Sequence, residues 1–375
     1  MKHNWEYKKL GEVCEILDSK RKPVTKKDRK VGQYPYYGAM GIQDYVDSFI
    51  FDGDYLLVGE DGAKWGANDK SAFQVHGKCW VNNHAHILKV NEDEICSSFI
   101  EHYLVGKDLS SYITGAVVPK LTQASLVSIP IPLPPLPIQQ KIVAELDKVC
   151  LIIEKKKQQL KELDKLAQAI FYDMFGDPVE NEKGWEVKNI SDICSLIVRG
   201  PFGSALKKEF FVKPDETTYK VYEQKHAINK SVSIGEYYIS KEKYNELKRF
   251  EVFPRDIIMS CSGTIGELYQ IPDDAPKGIM NQALLKFTLN NMVCSRVFMF
   301  LMNDIKNNMV IHGCGLQNIG SVKEIKQIKF GLPPLSLQQS FAAKIEAIEK
   351  QKELISRSIK EAQTLFDERM DYWFD

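Results

Sequence analysis

The chain contains the same proline-rich phrase twice. LPPLPIQQKIVAEL begins at Leu133, and LPPLSLQQSFAAKI begins 199 residues later at Leu332. Nearer the start, NWEYKKLGEVCEIL from Asn4 matches GWEVKNISDICSLI from Gly184 at an offset of 180. The smaller early offset indicates two copies of one framework that differ by a loop insertion in their first third. The repeat therefore predicts one fold used twice.

Within each copy, the pattern predicts a mixed α and β domain. Short runs rich in Val, Ile and Tyr and bounded by Gly, Asn or Asp indicate strands. These runs are DYLLVG, HAHILKV, DIIMS and ALLKFTL. Two longer runs that begin at Cys96 and Cys294 have the apolar spacing of helices and end near Gly115 and Gly313.

A different period follows each proline phrase. Apolar residues there recur in alternating steps of four and three, which is the heptad pattern of a coiled coil. In the first copy this stripe consists of Ile142, Leu146, Val149, Ile153, Leu160, Leu163, Ala167, Ile170 and Met174. In the second copy it consists of Phe341, Ile345, Ile348, Ile355, Ile359, Ala362 and Phe366. Lys156 and Lys352 are polar interruptions, and each stripe offers the other a burial surface.

These elements predict an α+β chain of four segments. Residues 1–138 and 177–338 form two similar mixed α/β domains, and residues 139–176 and 339–375 form two long helices. We expect the helices to pack as an antiparallel coiled coil, with a pseudo-twofold relation between the two copies.

The composition indicates a globular protein without a net charge. A chain of 375 residues, 44% of them apolar, can bury a sizeable core. Its start, MKHNWEYKKLGEV, lacks a signal-peptide core, and no apolar run approaches the roughly 20 residues that span a bilayer, so we expect a cytoplasmic protein. Lys plus Arg and Asp plus Glu number 50 each. The eight cysteines lack zinc-ligand spacing and are expected to be reduced and buried.

The repeated plan resembles that of the specificity subunits of type I restriction-modification enzymes. The resemblance rests on the LPPLxxQQ junction, the GWE opening, FYDMFGDP from Phe171 and RGPFGSALKK from Arg199, and it extends over essentially the whole chain. It implies two target recognition domains and a helical spacer that binds methyltransferase subunits.

The same resemblance implies the partners and cofactors. The partners would be double-stranded DNA with a bipartite asymmetric target, methyltransferase (modification) subunits and restriction/translocase subunits, with no membrane. S-adenosylmethionine, ATP and Mg²⁺ would be held by the partner subunits, and this chain would bind no cofactor. The chain would be a noncatalytic recognition subunit of a methyltransferase and endonuclease complex.

Residues suited to DNA contact concentrate in the loops. KRKPVTKKDRK from Lys20 is rich in cations, which favours phosphate contact over an idle solvated loop. VNNHAHIL and MNQALLKF carry amides suited to adenine, although a turn-forming role fits those amides equally. The candidates in the first copy are Lys20, Arg21, Lys22, Lys26, Lys27, Lys64, Trp65, Asn82 and Asn83. Those in the second copy are Arg199, Ser204, Lys207, Lys208, Ser262, Thr264, Asn281 and Gln282. Of these, Lys64, Trp65, Ser262 and Thr264 are expected on exposed loops.

No catalytic or metal site is predicted. His84 and His86 would share one face of a strand, but no third ligand lies at a telling spacing. The chain contains no GxxxxGK[ST] segment and no strand, glycine-rich turn and helix typical of a cofactor-binding methyltransferase. Two alternatives stay open. One is a specificity subunit that works with a fused methyltransferase-nuclease. The other is a coiled-coil scaffold without a DNA role, which predicts no sequence-selective binding.

Overall fold

The chain divides into two units, and each long helix contributes to both. The computed structural model describes residues 4–115, 117–311 and 322–374, with the side chains of all but 306–311. The first unit consists of residues 1–159 and 355–375, and the second consists of residues 160–354. A part of each helix therefore belongs to each unit.

The first unit is built mainly from strands that precede a long helix. Its strands are β1 (Glu6–Lys9), β2 (Cys14–Ile16), β3 (Val31–Gly38), β4 (Gly41–Val46), β5 (Phe51–Gly59), β6 (Ala72–Val81), β7 (Ala85–Val90), β8 (Ile113–Thr114), β9 (Lys120–Leu121) and β10 (Pro130–Leu133). Its helices are α1 (Leu10–Val13), α2 (Ser97–Gly106), α3 (Gln123–Val127) and the beginning of α4 (Leu136–Phe175).

The second unit also places its strands before a long helix, and it adds two short helices between its inner strands. Its strands are β11 (Glu186–Asn189), β12 (Cys194–Arg199), β13 (Tyr219–Tyr222), β14 (Tyr238–Ile239), β15 (Glu251–Val252), β16 (Ile257–Ser260), β17 (Leu268–Gln270), β18 (Gly278–Met280), β19 (Leu284–Leu289) and β20 (Lys329–Leu332). Its helices are α5 (Gln224–Ile228), α6 (Lys241–Glu246), α7 (Ser295–Ile311), α8 (Val322–Lys326) and the beginning of α9 (Leu335–Phe374).

The two units share their strand connectivity. In both, the opening strand pairs antiparallel with the strand before the proline phrase, as β1 with β10 and β11 with β20. The order β2-β7-β5-β6 of the first unit returns as β12-β19-β16-β17 in the second. Strand β6 of the first unit corresponds to two separate strands of the second unit, β17 and β18. The parallel pairing of β3 with β6 accordingly corresponds to the parallel pairing of β13 with β18. The prediction of one fold used twice is confirmed, as are its four quoted strands.

Both long helices begin earlier than predicted. α4 begins at Leu136 rather than residue 139, and α9 begins at Leu335 rather than residue 339. Pro137 does not delay α4, because the first N–H groups of a helix have no intrahelical partner and proline is tolerated there. The expected helix from Cys96 to near Gly115 is too long, since α2 ends at Gly106 and a 3₁₀ turn follows.

A buried glutamine explains the QQ of the first junction. Gln139 is fully buried, and its amide oxygen accepts the N–H of Cys96 at 2.8 Å. Its amide nitrogen donates to the carbonyl of Glu94 at 3.1 Å and to that of Pro134 at 2.8 Å. The side chain thus ties the first turn of α4 to the residues that lead into α2.

The second junction repeats this network. Gln338 is fully buried, accepts the N–H of Cys294 at 2.9 Å, and donates to the carbonyls of Met292 at 3.0 Å and Pro333 at 2.9 Å. The other glutamine of each pair is exposed. The repeated phrase therefore preserves one hydrogen-bonded joint between a long helix and its domain.

The predicted apolar stripes are buried where the helices enter the units. In the first unit, Ile142 and Leu146 of α4 share a core with Met370 and Trp373 of α9. The indole of Trp373 stacks on Trp5 with ring centroids 6.4 Å apart. The opening tryptophan of the copy therefore packs on the end of a long helix.

In the second unit the two helices run antiparallel. Phe171 near the end of α4 packs on Phe341 near the start of α9, with ring centroids 5.7 Å apart. Earlier in α4, Asp164 accepts a hydrogen bond from Lys352, farther along α9. Antiparallel packing is thus confirmed within this unit. The pseudo-twofold relation concerns the placement of the units and stays a prediction.

The prediction of reduced cysteines is confirmed for the described residues, and the prediction of burial is confirmed for four of them. The seven cysteines that the structure describes are free, and Cys14, Cys79, Cys194 and Cys261 are buried. Burial raises the pKa of the equivalent thiols of Cys14 and Cys194 to about 12. Cys150 is exposed, because it lies off the apolar stripe of α4. Cys314 lies outside the described residues.

Candidate nucleic-acid interface

The cationic loop of the first unit presents lysines on a fixed frame. Lys20, Lys22, Lys26 and Lys27 are exposed on the connection between β2 and β3, which contains two 3₁₀ turns. No described carboxylate lies within ion-pair distance of these four ammonium groups. The indole of Trp80 donates to the carbonyl of Lys22 at 2.6 Å, which anchors the loop to the sheet.

Arg21 differs from its lysine neighbours. Its guanidinium donates to the carboxylate of Glu60 at 2.6 Å and to the carbonyl of Ala85 at 2.7 Å, and it lies 3.2 Å from the carboxylate of Asp18. The side chain is only 12% exposed. Arg21 therefore serves an internal cluster, whereas the lysines face solvent. Phosphate contact by this loop stays a prediction.

The remainder of this cluster consists of one histidine and one lysine. His86 is fully buried, faces Asp18 through Nδ1, and lies 2.8 Å from the carbonyl of Leu121 through Nε2. Lys120 pairs with Glu60 at 2.6 Å. Burial raises the pKa of the Glu60 carboxyl, but hydrogen bonds from Lys120 and Arg21 outweigh burial and hold this pKa below its ordinary value.

The cluster is better suited to ion pairing than to a metal. Ligand atoms of Asp18, Glu60 and His86 lie within 4.8 Å of one another. Arg21 and Lys120 already supply the positive charge there, so a metal ion would have to displace them. The expectation that His84 and His86 share a strand face is wrong. His84 lies in the turn before β7 and contacts Asp61 instead.

The two candidate residues on the loop after β5 differ in exposure. Lys64 is exposed, as expected. Trp65 is only 8% exposed and its indole donates to the carbonyl of Gly59 at 3.0 Å, so the prediction that it lies exposed is wrong. The aromatic ring is large and apolar, and it packs into the domain core beneath the loop.

The paired amides form the same turn in both units. The carbonyl oxygen of the Asn82 side chain accepts the N–H of His84 at 2.8 Å, and that of Asn281 accepts the N–H of Ala283 at 3.0 Å. This is an Asx turn, the turn-forming alternative for these residues. Asn83 and Gln282, the following residues, are exposed.

In the second unit, three candidates converge on one cavity. Arg199, Ser262 and Gln282 line a space of about 690 Å³. The Nε of Arg199 donates to the carbonyl of Gln282 at 3.4 Å, and the hydroxyl of Ser262 bonds Gln224. Of the remaining candidates, Ser204, Lys207, Lys208 and Thr264 are exposed but do not line this space.

The cavity also contains residues that the sequence did not single out. Phe202 is 89% exposed, and Arg249 and Lys326 add two cations. Phe202 lies within the quoted RGPFGSALKK, where an aromatic between glycines in a polar loop is an available signal. Arg249 and Lys326 come from distant segments and carry no such local signal.

The family follows from the whole chain rather than from these loops. A model of the type I restriction modification DNA specificity domain matches residues 2–165 and again residues 182–364. The chain therefore belongs to the family of type I restriction-modification DNA specificity proteins. Of the helices in the described ranges, none has the apolar length that a membrane crossing requires.

Individual relatives agree with this class. A Haemophilus influenzae protein provisionally named as type I restriction enzyme specificity subunit S.HindORF215P is 27% identical over 373 residues, covering 98% of this chain and 94% of the relative. The type I restriction enzyme MjaIX specificity subunit of Methanocaldococcus jannaschii is 32% identical over 126 residues, covering 28% of this chain and 29% of that protein. The fold resembles the crystal structure of a type I restriction-modification S subunit from M. genitalium, with a TM-score of 0.55 and 13% identity over 98% of this chain and 95% of that one.

Proposed function

We propose that this chain is the noncatalytic recognition subunit of a type I restriction-modification complex. Its two domains read the two halves of a bipartite, asymmetric DNA target, and its long helices dock the methyltransferase and restriction subunits. The observation that carries this proposal is one strand topology used twice with different loops.

The loops support two different readers. The loop after β2 in the first unit presents exposed lysines, whereas the end of β12 and the loop after it in the second unit present Arg199 and Phe202 in addition to exposed lysines. Sequence is read by side chains that reach base edges, while contacts to phosphates position the protein without selecting bases. Different side chains on equivalent frames would therefore recognise different half-sites, which makes the target asymmetric.

The long helices support the docking of partners. Beyond the buried stripe, each helix also exposes apolar side chains to about half of their area or more. These are Leu151 at 49%, Ile152 at 47%, Leu166 at 48%, Leu354 at 67% and Leu365 at 47%. A helix that buries one apolar face and exposes a second one is suited to a partner protein.

The charge balance is consistent with shared DNA binding. With 50 basic and 50 acidic residues, the chain has no net charge with which to neutralise many phosphates. Partner subunits would then supply much of the phosphate contact. They would also hold S-adenosylmethionine, ATP and Mg²⁺, while this chain acts in the cytoplasm without a cofactor.

Mapping of methylated adenines tests this proposal. The chain is produced together with methyltransferase subunits of the same genome, and the modified DNA is sequenced. We expect a split motif that disappears when this chain is deleted. Exchange of residues 1–138 for the equivalent domain of a relative should alter one half-site only. The matched control, exchange of residues 177–338, should alter only the other half-site. Simultaneous change of both half-sites, or the absence of a split motif, would contradict the proposal.

A further inference from the structure

One edge of the second unit gathers three loops by sheet geometry. Strands β12, β19 and β16 are antiparallel neighbours, so the end of β12, the start of β19 and the end of β16 lie at the same edge. Arg199 ends β12, Gln282 precedes β19 and Ser262 follows β16. These side chains thus line one cavity although they are far apart in sequence.

The cavity is electropositive. Three cations line it, namely Arg199, Arg249 and Lys326, and no carboxylate is found among its described lining residues. No described carboxylate lies within ion-pair distance of these three groups either. Cations without acidic partners on a concave surface attract a polyanion, since low-dielectric walls strengthen their field.

The loop beside the cavity is held so that an aromatic ring faces outward. A Cβ on Gly203 would lie 2.6 Å from Oε1 of Gln282, and one on Gly200 would lie 1.8 Å from the carbonyl oxygen of Asn281. At Gly200 only glycine permits this approach to the backbone of the turn before β19, whereas at Gly203 the neighbour is the end of a flexible side chain. Between the two glycines, Phe202 leaves 89% of its surface in solvent. Exposure of a phenyl ring on an anchored loop suits contact with an apolar ligand surface.

The equivalent edge of the first unit has the opposite character. There the end of β2, the start of β7 and the end of β5 bring together Asp18, Arg21, Glu60 and His86. Arg21 and Lys120 are paired with the carboxylates, so the cations are neutralised from within. The frame is shared, but the cations that converge inside this edge are paired with carboxylates in the first unit and lack such partners among the described residues of the second.

We infer that the cavity of the second unit is a base-reading subsite for double-stranded DNA. This inference rests on the proposed function and names the residues that perform it. Arg199 and Gln282 read base edges, as guanidinium and amide groups do with guanine and adenine. Phe202 contacts an apolar base surface, and Arg249 and Lys326 hold the adjoining phosphates.

The test uses the full chain assembled with its methyltransferase subunits. Arg199→Ala is expected to relax discrimination at one base position of the half-site assigned to residues 177–338, by about 10- to 100-fold in relative methylation rate. Phe202→Ala is expected to slow methylation through that half-site by about 10-fold, and its exposed position keeps the fold intact. Lys326→Ala is expected to weaken binding to all sequences alike and to lower the salt slope by about 1.

Lys241→Ala is the matched control. Lys241 is an exposed cation of the same unit, at the start of α6 and outside the cavity lining, so its loss should change neither motif nor salt slope. The cavity inference is overturned if the wild-type complex yields a split motif that Arg199→Ala and Phe202→Ala leave unaltered. A change in the other half-site would also overturn it. A wild-type complex that gives no split motif would instead contradict the proposed function itself.

Discussion

Replacement of Gln139 by Met removes the hydrogen bonds of the first junction while retaining an unbranched side chain of similar length. Gln139 is fully buried and makes three hydrogen bonds, to Cys96, Glu94 and Pro134. A net value of about 1 kcal/mol for each bond predicts that Gln139→Met lowers the free energy of unfolding of the first unit by about 3 kcal/mol. The backbone groups left without partners provide the physical cause.

The matched control is the neighbouring glutamine. Gln140 is exposed on the same turn of α4, so Gln140→Met receives the same substitution without losing a buried bond. We expect its effect on the free energy of unfolding to stay within about 0.5 kcal/mol. Gln338→Met should reproduce the loss in the second unit, because Gln338 makes the equivalent bonds.

Urea unfolding and native hydrogen exchange together measure this prediction. Exchange resolves the two units, which a single unfolding curve does not. A loss of about 3 kcal/mol corresponds to roughly 100-fold faster exchange in the most protected amides of the first unit. Equal stability of the Gln139→Met and Gln140→Met variants would refute the view that the repeated phrase preserves a hydrogen-bonded joint.

Two further predictions concern charges inside the units. Arg21→Ala should lower the free energy of unfolding by roughly 3 kcal/mol, because it leaves the buried carboxylates of Asp18 and Glu60 without their guanidinium partner. Lys22→Ala, a change at an exposed neighbour, should leave urea unfolding unaltered, and equal effects of the two would contradict the cluster. Burial lowers the pKa of His226 in the folded chain. Just below the ordinary pKa of histidine, the unfolded chain therefore binds more protons than the folded chain does. Stability should therefore fall as pH drops from about 7 to 5, and His226→Gln should reduce this fall in pH-dependent thermal unfolding; an unchanged slope would show that other groups cause it.

The sequence by itself determined the framework of the protein. The offsets of the repeat, the strand runs and the heptad stripe predicted two domains of one fold and two long helices, because these features are local and periodic. Burial of Ile142, Leu146 and Phe341 follows from the same periodicity, since a helix with one apolar face must cover it. The repeated LPPLxxQQ phrase pointed to the family because it is a local sequence feature that needs no structure to be recognised.

Only the tertiary structure decided which polar residues are available for binding. Arg21 and Lys22 are adjacent and chemically similar, yet one is enclosed by Asp18 and Glu60 and the other faces solvent. The carboxylates come from segments whose proximity depends on strand pairing, which the local pattern does not specify. Trp65 was expected on an exposed loop, but its ring packs into the core beneath that loop. The local sequence does not show that this core lies within reach of the ring.

The cavity of the second unit shows this division most clearly. Its candidates Arg199 and Gln282 were visible as polar loop residues, but their convergence with Arg249 and Lys326 requires the sheet edge that β12, β16 and β19 build. For the junction glutamines, the sequence showed that the QQ pair recurs but not what the pair does. The buried bonds of Gln139 and Gln338 supply the reason, since only the folded chain brings distant backbone groups within reach of one side chain.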